Sequence, residues 1–154
     1  MNVNSKEIQH ELASRLNSLC NKLHDEFAIN CGGCCFTAYC IAKLLEKDGF
    51  NFSLIVFDSE CKLKNYTELS ELPDTMEHYA IILEHDDNIN AEAINCIEDD
   101  FDKFYQGFEV TSEDILNYYL NNEWNSLYQT VYNDLIQSLI ERVYYEFTNS
   151  FREG

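Results

Sequence analysis

Cys31-Gly32-Gly33-Cys34-Cys35 is the densest group of reactive side chains in the sequence. A cysteine at the start of a helix sits among unpaired backbone N–H groups at the positive end of the helix dipole, so its thiol ionises more readily than a free one. The two glycines before Cys34 leave room for a substrate backbone, because no Cβ stands in the way. Downstream, His78 opens an apolar stretch, and a neutral imidazole beside a thiol is the base that makes a thiolate nucleophile. Asn90 and Asn95 follow on what reads as the next strand, and either amide is suited to holding the imidazole in its working tautomer. This set predicts acyl transfer through a thioester. Cys34 attacks a carbonyl carbon, His78 takes the proton and later protonates the leaving group, and Asn90, or else Asn95, holds the ring. Such chemistry needs no metal or organic cofactor.

The same residues admit other readings. Cys31-x-x-Cys34 at a helix start is also the layout of a thioredoxin-like dithiol, with Pro73 at the distance where such folds keep a proline near the thiols. That reading leaves His78 idle and requires a buried strand just before Cys31. Cys31, Cys34, Cys35, Cys61 and His78 also contain enough ligands for tetrahedral zinc, yet no second paired Cys or His motif completes a site. Cys20 and Cys40, at helical spacing, read as small hydrophobic core residues. His10, His24 and His85 read as solvated.

The nucleophile reading holds if the elements around it form as the pattern dictates. Ile8, Leu12, Leu16, Leu19, Leu23 and Phe27 recur every three or four residues, predicting an amphipathic helix over 4–27 that is stopped at Asn30 to Gly33. A second helix runs from Cys34, with Ala38, Ile41, Ala42 and Leu45 on one face, and ends at Asp48-Gly49. Phe50 to Phe57 is aromatic and β-branched and reads as a buried strand. Residues 59–75 form a polar connection. His78 to Leu83 and Ile89 to Ile97 flank a polar turn over Glu84 to Asn88 and read as a hairpin. A strictly two-residue turn at Asp86-Asp87 would set Asn95 opposite His78. Ser112-Glu113-Asp114 then starts a helix with its own cap, presenting Ile115, Leu116, Tyr119 and Leu120. A last helical stripe is formed by Trp124, Leu127, Tyr128, Val131, Leu135, Leu139, Val143 and Phe147. Helices, then strands, then helices, without βαβ alternation, predict one α+β domain over residues 1–154 with a small antiparallel sheet.

On these residues the stretch Gly32 to Phe57, GGCCFTAYCIAKLLEKDGFNFSLIVF, resembles the core of papain-like and transglutaminase-like cysteine enzymes. In these a Gly-x-Cys turn starts a helix that ends in a glycine before a strand. Taking Cys34 as nucleophile places Ala38, Leu44-Leu45 and Gly49 in the register of transglutaminases and arylamine acetyltransferases. It also makes Cys31-Gly32-Gly33-Cys34 similar to the Cys-Gly-Ser-Cys of papain-like proteases; Cys35 would break both registers. HYAIILEHDDNINA is similar to the segment in which a His begins one strand and an Asp or Asn follows on the next, which implies His78 as base and Asn90 as the orienting residue. The resemblance covers roughly residues 30–95. Ala28 stands where papain-like enzymes carry a Gln, and the Trp after the nucleophile is missing, so oxyanion stabilisation falls to Asn30 or the backbone N–H of Cys34. A non-catalytic acidic binding or inhibitor protein on the same fold is the alternative.

Composition narrows the partners. The chain has 154 residues, 28 acidic and 10 basic, for a formal net charge of -18. Binding to phosphate backbones and anionic lipid rests on Lys and Arg, so nucleic acid and membrane surfaces are disfavoured. Residues 1–57 carry a net -1, 58–110 a net -12 and 111–154 a net -5. The predicted helix with the nucleophile is thus nearly neutral, whereas the segment with His78 is acidic. A protein or peptide substrate that is basic or neutral fits that distribution. The N-terminus lacks the basic start and apolar run of a signal peptide, and uninterrupted apolar runs reach about four residues, far short of a membrane span. A cytoplasmic protein with reduced thiols is the expectation.

Overall fold

Four helices and four strands alternate unevenly along the chain in a computed structural model that describes residues 2–27, 34–58, 66–69, 77–84, 91–94, 107–121 and 127–152. In chain order they are α1 (Lys6–Phe27), α2 (Cys34–Asp48), β1 (Phe52–Asp58), β2 (Glu77–Glu84), β3 (Ala91–Ile94), β4 (Phe108–Val110), α3 (Ser112–Asn121) and α4 (Leu127–Arg152). The class is α+β.

The sequence rules hold best for the first two helices and the link that follows them. In α1, Leu12, Leu16, Cys20 and Leu23 are buried at helical spacing. In α2 the buried stripe is Ala38, Ile41, Ala42 and Leu45, joined by Cys35 and Cys40. Gly49, with φ at 79°, closes α2 in the left-handed conformation that a Cβ disfavours. The Gly49 N–H donates to the Glu46 carbonyl at 3.3 Å and the Phe50 N–H to the Leu45 carbonyl at 3.1 Å. These two bonds satisfy the last carbonyls of α2 and turn the chain into β1 within three residues.

The sheet is antiparallel throughout, in the order β3-β2-β1-β4. Phe52↔Leu83 through Asp58↔Glu77 pair β1 with β2, and Ile81↔Ile94 through Glu84↔Ala91 pair β2 with β3. Side chains opposite one another across an antiparallel pair share a face. Leu54, Val56, Tyr79, Ile81, Leu83, Phe108 and Val110 therefore form one face, and they join the helical residues in a single core running from Leu12 to Phe147. α2 lies on β1 and β2, α1 on β3, and α4 packs on both helices.

Four readings of the sequence are corrected. Phe108–Val110 is a strand, too short to show any periodicity and held by its pairing with Leu54 to Val56. The cap of α3 is Thr111 rather than Ser112. Thr111 Oγ1 accepts from the Asp114 N–H at 3.0 Å while Asp114 Oδ2 accepts from the Thr111 N–H at 2.9 Å, a reciprocal capping pair. Ser112 Oγ instead donates to Glu46 Oε1 on α2 at 2.6 Å. On α4 the fully inward stripe is Ile136, Ile140, Tyr144 and Phe147; Leu135 is 44 % exposed, and Leu116 on α3 is exposed too. Two apolar rows run side by side along α4, and docking decides which is buried: Tyr144 donates its hydroxyl to the Leu44 carbonyl at 3.1 Å and to Asp48, fastening α4 to the end of α2.

Candidate functional site

Cys34 is the first residue of α2, as its position after two glycines predicts. The three-residue turn at Gly49 sends β1 back along α2, so the start of α2 and the end of β1 lie at the same end of the layer. The levels agree. Cys34 stands 14 residues before Asp48, about 21 Å at 1.5 Å per residue, and Asp58 stands six residues beyond Phe52, about 20 Å at 3.3 Å per residue. Asp58 pairs with Glu77, and His78 pairs with Phe57. With α2 packed on β1 and β2, the start of α2 and the start of β2 therefore fall toward the same end of the layer.

His78 belongs with Ala80 and Ile82, opposite Phe57, Ile55 and Ser53, on the side away from the helical core. It is nevertheless 6 % exposed, and Ala80 beside it is fully buried, whereas Glu84 and Glu109 on the same face are exposed. This second face is covered at His78 and Ala80 and open at Glu84 and, on the β4 edge level with Ala80, at Glu109.

Tyr79 is the strand residue at this end that lies on the helix-covered face, paired with Val56 and buried at 3 % exposure. The sequence hides Tyr79 because a tyrosine inside an apolar run reads as ordinary strand packing.

The third-member candidates lie outside the described residues, and the register separates their neighbours. Ala91, next to Asn90, pairs with Glu84, six residues from His78 along β2, or about 20 Å. Ile94, next to Asn95, pairs with Ile81, three residues from His78, or about 10 Å. The pairing Ile81↔Ile94 is also offset by two residues from the one that a turn at Asp86-Asp87 would impose. Asn30, Cys31, Cys61, Pro73 and His85 lie outside the described residues as well.

Among the thiols, Cys20, Cys35 and Cys40 are buried in the core. Burial pushes the Cys20 thiol up to about 12, and burial reinforced by the Glu141 carboxylate pushes the Cys40 thiol up to about 12. Both are inert near neutral pH. Cys35, adjacent to Cys34, is 6 % exposed. The segment before Cys31 is helical up to Phe27, contrary to what a thioredoxin-like dithiol requires.

No family model, curated protein or solved structure matches the chain. Among the described residues no helix is long and apolar enough to cross a membrane.

Proposed function

We propose that the chain is a cysteine hydrolase or acyltransferase on a papain-like or transglutaminase-like core, acting in the cytoplasm on a basic or neutral peptide or side-chain amide. Cys34 is the nucleophile and His78 the base that takes its proton and returns it to the leaving group. What supports this reading is that Cys34 heads α2, which packs on β1 and β2, and that the start of β2 falls toward the same end of that layer. Of the two candidate third members, Asn95 takes precedence over Asn90, because the strand register brings its neighbour Ile94 twice as close to His78. The phenol of Tyr79 joins Asn30 and the Cys34 N–H as a candidate donor to the oxyanion.

The test is alkylation by iodoacetamide between pH 6 and 8, with the modified cysteine mapped by mass spectrometry. Selective labelling of Cys34, with an inflection at or below neutral pH that moves upward in His78→Ala, is the expected result. Slow, uniform labelling of every accessible thiol overturns the reading.

A second reading, an acidic binding or inhibitor protein without catalysis, is favoured by one observation: His78 falls on the sheet face away from the helices and is buried there. A Cys34 inflection that ignores the His78 substitution selects it.

A further inference from the structure

We draw no further inference here: the strongest candidate, the buried phenol of Tyr79 on the helix-covered face of β2 at the level of the first turn of α2, belongs to the site already described and rests on a helix N-terminus and one cysteine, with no bound group beside them to show a ligand.

Discussion

The two ends of the α2–β1–β2 layer differ in the length of the connections that meet there. At the Gly49 end, main-chain and amide groups close a clasp. Asn4 Oδ1 accepts from the Asn51 N–H at 2.7 Å and from Gln9 Nε2 at 3.0 Å, while Asn4 Nδ2 donates to the Gly49 carbonyl at 3.2 Å. Gln9 Nε2 also donates to the Glu84 carbonyl at 2.8 Å, and the Glu84 N–H to the Asn51 carbonyl at 2.9 Å. At the Cys34 end, elements meet through a six-residue connection from α1 and an 18-residue connection from β1 to β2. Short, polar, fully engaged backbone makes a rigid anchor, and longer connections over a rigid scaffold are where binding and catalytic residues concentrate. The clasp ties the end of α2 to the starts of α1 and β1 and the end of β2.

That contrast breaks or sharpens on four measurements. The largest effect belongs to the chemical end. With p-nitrophenyl acetate as acyl donor, His78→Ala lowers turnover about 10²–10⁴-fold if the imidazole is the base, and a rate within threefold of the parent dissolves the distinction between the ends. Next comes Ile41, fully buried midway along α2. Ile41→Ala removes core volume and costs about 2–5 kcal/mol in urea unfolding, whereas Leu135→Ala, on an exposed position of α4, stays within about 0.5 kcal/mol.

The clasp is tested by Gln9→Ala. Two acceptors, Asn4 Oδ1 and the Glu84 carbonyl, lose the Gln9 donor, for a loss of about 1–3 kcal/mol, with the alkylation rate of Cys34 unchanged. The cost is held down because Gln9 Oε1 has no donor among the described residues in the folded chain. A variant that slows Cys34 chemistry as much as it lowers stability shows that the anchor and the site are one unit.

The last measurement is a pH dependence. Burial pushes the Cys20 and Cys40 thiols up from 9.0, the value of a free thiol, to about 12, so the unfolded chain gives up these protons first. Their contribution to stability is fully present below pH 9 and is lost as pH rises toward 12, at up to about 1.4 kcal/mol per thiol per pH unit. Urea midpoints that fall between pH 8.5 and 10.5, and fall less in Cys20→Ala, check the sign. A flat profile means that these thiols are not buried in the core.

Local rules located most of the scaffold. α2 begins at Cys34 and ends before Gly49 where the glycines and the 3.6-residue pattern put it, because the left-handed turn needs no tertiary help. The strands of Leu54 and of His78 were legible from β-branched and aromatic runs, although β1 starts two residues later than Phe50. What escaped was set by pairing partners distant in sequence. β4 exists by virtue of Leu54 to Val56, and Leu135 and Ile136 are equally apolar until α2 selects the row that includes Tyr144.

The candidate site divides in the same way. Residue order and type alone determined that Cys34 heads a helix and that His78 opens a strand, since both follow from caps and periodicity within a few residues. Tertiary structure alone decided that these two starts fall toward the same end of the layer, that Cys35 is buried in the core, and that Ile94 rather than Ala91 pairs nearer to His78. Those outcomes depend on how β1 turns back along α2 and on a register fixed by cross-strand pairs, and neither is encoded in any one segment.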